Sequence, residues 1–209
     1  MFILVHLAVI RSDPTNTLVY CVAMKQEIEI KVRLKSIGQF EQRLKDAGFT
    51  CKTPRTHEMN TLYDFPSRSL TRRGELLRLR KYGDSWKLTH KAKGKIGRHK
   101  SRLETESSVE NGPAMESIFR SLGLRPIFRY EKFRSEWSDG AGDIVLDETP
   151  IGDFAEIEGR GRWIDSTAKS LGVDPADYLT ANYASLFFEW KKQHESKAAE
   201  MTFAAVSRE

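Results

Sequence analysis

The chain has 209 residues, enough for one ordinary domain with tails. A hydrophobic share of 39% and a charged share of 30% allow a buried core and exclude a low-hydrophobicity disordered tract, and no apolar run reaches the ~18 residues of a membrane span. Lys and Arg (34) outnumber Asp and Glu (29), and the resulting charge of +5 favours an anionic partner without separating nucleic acid from phosphorylated small molecules.

Residues 1–23 alternate between apolar runs (Met1 to Ile10, Leu18 to Ala23) and a turn-like Ser12-Asp13-Pro14 stretch. No basic region precedes the first run, as a secretory signal requires, so these residues read as an extension outside the fold. The domain is expected over 24–193. Gln26 to Leu34 alternates strictly, with Ile28, Ile30, Val32 and Leu34 on one face, and predicts a strand. Ser36 opens a helix with the stripe Ile37, Phe40, Leu44 and Ala47, closed by Gly48. Strands are expected around 58–64, 76–82 and 85–91, the last two joined by a Gly83-Asp84 hairpin turn. A basic loop follows at 92–100, then a strand over 101–109. Asn111 and Pro113 open a second helix that stops at Gly123. A hairpin (128–137 and 143–146) and a short strand at 154–159 complete the β elements. A short helix at 165–171 precedes a longer one, capped by Asp174-Pro175, with Leu179, Tyr183, Leu186, Phe187 and Trp190 on one stripe. Residues 194–209 lack periodicity and are expected to fray. Hairpins outnumber crossovers, so the class is α+β with an antiparallel sheet.

Each strand has an apolar and a charged face. Glu27, Glu29 and Lys31 share one face; so do Arg78 and Arg80, Lys87 and Lys91, Arg102, Glu104 and Glu106, Lys132 and Arg134, and Glu156 and Glu158. One arrangement is a half-exposed sheet with its charges in water. The other is a sheet curled into a barrel lined with both signs, whose buried charges need partners or ligands. Clustered carboxylates suit hard divalent cations, and clustered Arg and Lys suit phosphate oxygens.

These residues resemble the CYTH superfamily, the triphosphate tunnel metalloenzymes, which include class IV adenylyl cyclases, thiamine triphosphatases and inorganic tripolyphosphatases. Glu27-Ile28-Glu29-Ile30-Lys31 matches the ExExK opening, and Leu77-Arg78-Leu79-Arg80, Leu88-Thr89-His90-Lys91, Arg102-Leu103-Glu104-Thr105-Glu106, Phe133-Arg134, Val145-Leu146-Asp147 and Gly152-Asp153-Phe154-Ala155-Glu156-Ile157-Glu158 follow in order. The resemblance spans about residues 25–190. It implies an eight-stranded antiparallel β-barrel tunnel with helices packed outside. It assigns Lys31, Arg78, Arg80, Lys91 and Arg134 to the triphosphate, with Lys87 and Arg102 beside them. It assigns Glu27, Glu29, Glu104, Glu106, Asp147, Glu156 and Glu158 to one or two Mg²⁺ or Mn²⁺ ions. Catalytic roles are implied for Lys31, Lys91, Glu106 and Tyr183. Tyr183 stands where thiamine triphosphatase-like members carry a lysine, which argues against a lysine-activated water.

The expected function is metal-dependent cleavage of a phosphoanhydride bond in tripolyphosphate or a nucleoside or other organic triphosphate. Cyclisation of ATP to cyclic AMP is the alternative. A polyphosphate- or RNA-binding module is a lesser one, resting on Lys91, Lys93, Lys95, Arg98, Lys100 and Arg102; no aromatic stacking residue lies within that run, which disfavours nucleic acid. The five histidines show no metal-ligand spacing, and no GxxxxGK[ST] loop occurs. Two cysteines, Cys21 and Cys51, cannot form a disulfide framework, so a cytoplasmic setting is the default, as monomer or homodimer.

Overall fold

The computed structural model describes residues 25–206. The expected 1–23 extension therefore lies outside the described residues. Nine strands form one antiparallel sheet: β1 (Lys25–Leu34), β2 (Thr50–Asp64), β3 (Leu76–Tyr82), β4 (Ser85–Lys91), β5 (Lys95–Ile96), β6 (Lys100–Val109), β7 (Arg125–Ser138), β8 (Asp143–Thr149) and β9 (Gly152–Glu158). Their order is β1-β9-β8-β7-β2-β3-β4-β6, and β6 pairs back onto β1. Eight strands thus close a barrel, and the two-residue β5 only extends the β4–β6 hairpin. Closure removes the sheet edges. No helix among the described residues is long and apolar enough to cross a membrane.

The apolar strand faces turn outward, onto helices. Helices α1 (Ile37–Asp46) and α4 (Gly161–Ser170) cover Ile30, Val32, Ile144 and Ile157, burying Phe40, Leu44 and Ile164 against them. A second cluster joins α5 (Tyr183–Gln193) to β2, β7 and β9 through Leu62, Phe128, Phe154, Leu186 and Phe187. A third sets α2 (Ser69–Arg73) and α3 (Gly112–Ser121) over Tyr63, Leu79 and Phe119. Fully burying a side chain such as Phe187 contributes ~1.5–3 kcal/mol. Because the helices take the apolar face, strand alternation sends the charged face into the barrel.

Ser36 and Asn111 cap α1 and α3 as expected, accepting from the backbone N–H groups of Gln39 and Ala114. Several elements differ from expectation: α4 begins at Gly161 rather than Asp165, and α2 and β5 were not expected. Strand β2 begins eight residues before the expected Glu58, at Thr50. Its register against β7 shifts between Cys51 and Thr53, between Thr53 and Thr56 and again after Leu62, which blurs the alternation. The last helix begins at Tyr183 rather than near Pro175. Asp174 caps only a 3-10 turn (Pro175–Asp177), Leu179 pairs with Lys31 in an antiparallel bridge, and Asn182 caps α5 by accepting from the Ser185 N–H. The segment takes the edge that β1 exposes once β6, whose ladder stops at Glu29, has left it.

The expected frayed tail is corrected through residue 206. Strand β8 pairs β7 only from Phe133 onward, leaving backbone groups of residues 129–131 without a ladder on that side. Met201 fills the gap, donating to the Arg129 carbonyl and accepting from the Glu131 N–H at 3.1 and 3.0 Å. Its side chain is fully buried, and α6 (Phe203–Val206) follows against β7.

Candidate functional site

The barrel encloses a cavity of about 410 Å³, and 17 of its 24 lining residues are charged. Cross-strand registers explain the arrangement. Lys31 stands opposite Glu156 and Glu29 opposite Glu158 in the β1–β9 ladder; Glu27 faces Arg102 across β1–β6, and Lys91 faces Glu104 across β4–β6. Alternation that points one member of each pair inward points the other there too.

Beside α5 the charges form a continuous network. Arg134 binds Asp147 with Nε and Nη2 at 2.7 and 2.6 Å, and Nη2 also reaches Glu156 at 2.6 Å. Lys31 donates to Glu156 at 2.6 Å, and Lys132 donates to Asp147 at 2.9 Å. The Tyr183 hydroxyl donates to Asp147 at 2.6 Å. Glu58, with no exposed surface, accepts from Asn60 and sits 3.4 Å from Lys132 and 3.5 Å from Arg80. Along the β1–β6 wall, Lys91 bridges Glu27 and Glu104 at 2.6 and 2.8 Å, while Lys100 holds Glu29 at 2.6 Å. Glu106 gathers Lys87, Arg80 and Thr89.

Burial alone raises carboxyl pKa values, and here the cations outweigh it. The Glu27 carboxyl is held at about 2 by Lys91, with Arg102 and Lys100 behind. Glu58 is held low by Lys132, Arg134, Arg80 and Arg78, and Glu156 by Lys31, Arg134 and Lys132, both against burial. Burial lowers the Lys31 ammonium, but Glu156 and Glu29 more than offset this and leave it raised.

Arg78 is the exception. Among the described residues no carboxylate lies in ion-pair contact with it, although Glu58 and Glu104 attract it from farther off; it hydrogen-bonds Tyr130, its Nη2 makes a long 3.4 Å bond to Thr89, and its Nε is buried without a partner. The Nε of Arg80 and the Oδ1 of Asn60 are orphaned likewise. A half-buried guanidinium with an unspent donor on a cavity wall is a ready oxyanion grip.

The CYTH domain model matches residues 25–170, the greater part of the chain. The chain belongs to the CYTH family. A Methanocaldococcus jannaschii protein named as a candidate adenylate cyclase is 26% identical over 133 residues, 63% of this chain and 75% of that one. A Vibrio parahaemolyticus structure, likewise named as a candidate adenylate cyclase, superimposes with a TM-score of 0.68 at 22% identity, covering 78% of this chain and 97% of that one. A Hippeastrum structure, described as a candidate adenylyl cyclase with a dominant triphosphatase activity, gives 0.58 at 21% identity over 78% and 95%. At these identities the two structures establish a shared fold.

In this CYTH tunnel, Glu27, Glu29, Lys31, Arg78, Arg80, Lys91, Arg102, Glu104, Glu106, Arg134, Glu156, Glu158 and Tyr183 all line the cavity. Lys87 and Asp147 do not. Lys87 approaches Glu106 from a more exposed position, and Asp147 lies fully buried behind the wall with its oxygens taken by Lys132, Arg134 and Tyr183. That saturation makes Asp147 an anchor for cations rather than an open ligand. Burial, then Asp147 and Glu156, push the Tyr183 phenol well above the usual range, consistent with its hydroxyl donating to Asp147. The sequence reading missed Glu58, Lys100 and Lys132 as site residues. Lys132 is visible on a charged alternating face with Arg134, whereas Lys100 reads as the end of a basic loop and in fact opens β6; Glu58 gives no signal, since its partners come from β3 and β7. The basic run at 91–102 is split, with Lys91, Lys100 and Arg102 turned inward onto glutamates.

Of the eight carboxylates lining the cavity, Glu27, Glu29, Glu104, Glu106, Glu156 and Glu158 form an all-oxygen donor set suited to a hard divalent cation. Glu29 and Glu158 are direct ladder partners, a like-charged pairing that a cation relieves, as Lys100 does at Glu29. Among the described residues no three acidic, His or Cys side chains already converge on one point. The donor set fits a metal, but ligand binding must first redistribute the ion pairs.

Proposed function

We propose that this CYTH protein is a metal-dependent triphosphatase that hydrolyses the terminal phosphoanhydride bond of tripolyphosphate or a nucleoside triphosphate. The observation that carries the reading is Arg78: a half-buried guanidinium with no carboxylate in ion-pair contact and an orphaned Nε, lining the cavity together with Arg80, Lys31, Lys91, Lys132 and Arg134. This array suits a chain of phosphate oxygens, since guanidiniums bind them in pairs and ammoniums act as point charges.

Hydrolysis bonds the water oxygen to the terminal phosphorus and breaks the bridging P–O bond, and the two phosphate products share the water's protons. Carboxylates from the set Glu27, Glu29, Glu104, Glu106, Glu156 and Glu158 would hold Mg²⁺ or Mn²⁺, which when bound neutralises charge on the transferred group and acidifies water. The chain's own part is to clamp the phosphates in line and to stabilise charge on the leaving group through Arg78, Arg80, Lys91 and Arg134.

Cyclisation is the second reading, favoured by the adenylate cyclase names of the relatives. It requires the ribose 3′-hydroxyl fixed against the α-phosphorus, hence a nucleoside pocket. The cavity's uncharged lining is limited to Leu62, Leu76, Tyr130, Val145, Asn182, Tyr183 and Ala184, and Tyr183 is already engaged by two lysines and Asp147. Hydrolysis needs no such pocket. The test is product separation after incubation with ATP or tripolyphosphate and Mg²⁺ or Mn²⁺. Orthophosphate release that EDTA abolishes supports the proposal; cyclic AMP plus pyrophosphate as the main products from ATP overturns it.

A further inference from the structure

Tyr183 lies outside the span matched by the family model, yet it touches more of the cationic array than any other uncharged side chain described above. As the first residue of α5, fixed by the Asn182 cap, it enters the cavity wall with its ring packed edge-on against Phe154. Its hydroxyl is tethered to Asp147. The Lys31 ammonium lies 4.3 Å from the ring centroid and the Lys132 ammonium 4.8 Å from the same centroid. Both distances fall inside the range of an attractive cation–π contact, which strengthens when desolvated. Both lysines are almost fully buried.

At rest each ammonium also has a carboxylate, Glu156 for Lys31 and Asp147 for Lys132. That arrangement has a difficulty if the cavity takes a metal and a triphosphate. Glu156 is one of the carboxylates suited to the metal, so a loaded tunnel draws it away from Lys31. A second carboxylate placed to hold Lys31 would repel the phosphates. An aromatic face has neither fault: it attracts a cation through its quadrupole while carrying no net charge. The neutral phenol can therefore hold two mutually repelling ammoniums in place through the exchange of partners.

We propose that Tyr183 is a positioning residue of the tunnel, whose ring holds Lys31 and Lys132 toward the phosphate-binding space while its hydroxyl fixes the ring on Asp147. This rests on the triphosphate reading. It assigns Tyr183 no proton transfer and no bond to the reacting atoms.

The test uses the full chain and measures tripolyphosphate affinity by titration calorimetry with Ca²⁺ in place of a catalytic metal, alongside thermal unfolding of each variant. Tyr183→Phe keeps the ring and loses the tether; Tyr183→Leu loses the ring. The Phe variant is also made with one, two or three fluorines on the ring, which drain the quadrupole at nearly constant shape. The expected result is about threefold weaker binding for Phe, about thirtyfold for Leu, and a stepwise fall from Phe toward Leu with each fluorine, at unchanged melting temperature in the fluorinated set. If Leu fails to fold, the fluorinated series alone decides. Equal affinity across that series overturns the proposal, because a purely structural tyrosine responds to shape and not to ring charge. Wild-type protein that does not bind tripolyphosphate overturns the triphosphate reading, and this proposal with it; wild-type binding with a flat series overturns this proposal alone.

Discussion

Lys31 and Glu156 are backbone ladder partners in β1 and β9 and also ion-pair partners inside the barrel, Nζ to Oε1 at 2.6 Å. The pair is typical of the lumen, where Lys91 serves Glu27 and Glu104, and Arg134 serves Asp147 and Glu156. The lumen thereby largely neutralises itself. Buried charges of both signs are tolerated where they pair, at a desolvation cost that such pairs only partly recover, and Arg78 stands outside this pairing. A ligand that brings both signs, a cation with a polyanion, can replace those partners without leaving any charge stranded.

Arg78 and Asp147 are predicted to separate binding from folding. Arg78→Ala removes a cation with no carboxylate in ion-pair contact, so triphosphate affinity should fall by ~2–5 kcal/mol, well beyond any loss of stability. Asp147→Asn takes from Arg134 and Lys132 the buried carboxylate they share, leaving them Glu156 and Glu58, and should cost ~3–5 kcal/mol of folding stability. Urea unfolding and calorimetric titration of both variants check this. A destabilised Arg78→Ala with normal affinity would place Arg78 in the scaffold.

Acid should loosen the barrel. An ordinary glutamate titrates near 4.5, and Glu27 is held at about 2, with Glu58 and Glu156 also depressed. Depressed folded-state values mean that the stabilisation is complete above pH 4.5 and is lost as pH falls from there through about 2. Lys31 is raised, so its contribution is complete below the usual lysine value near 10.5 and disappears only above it. Urea midpoints should thus be flat from about pH 6 to 9 and drop below 4.5, with a shallower drop in Glu27→Gln. A midpoint unchanged down to pH 3 would contradict the network.

The C-terminal strap should be part of the domain. Met201 is fully buried and bonds both faces of the β7 gap. Met201→Ala should cost ~2–5 kcal/mol. Ending the chain at residue 193 should lower the melting temperature as well, whereas an unchanged melting curve would mean that β7 tolerates an open edge.

Strand alternation made much of this legible beforehand. Glu27 to Lys31 and Arg102 to Glu106 read as charged faces because their period-two pattern is unbroken. The start of β2 was hidden by Pro54 and by register shifts that put neighbouring residues out of phase. Glu58 was hidden for another reason: a lone glutamate on a strand is ordinary until folding brings Lys132 and Arg80 to it. The late start of α5 was missed because Asp174-Pro175 is a strong cap, but the turn it caps is followed by the Lys31–Leu179 bridge. Asn182 with Ser185 was the competing signal. The tail had no periodicity to read, since it contributes single buried residues, Ala198 and Met201, rather than a face.

The central claim is that the lumen takes a divalent cation and a triphosphate together, each replacing the other's former partners. Calorimetric titration of tripolyphosphate into the protein, in excess EDTA and then in saturating Ca²⁺, tests it most directly. The account predicts affinity at least about tenfold higher with Ca²⁺, a coupling in the usual range of 1–3 kcal/mol, and loss of most of that gain in Glu27→Gln plus Glu156→Gln. Equal affinity with and without the metal, or a gain that survives both substitutions, would contradict it.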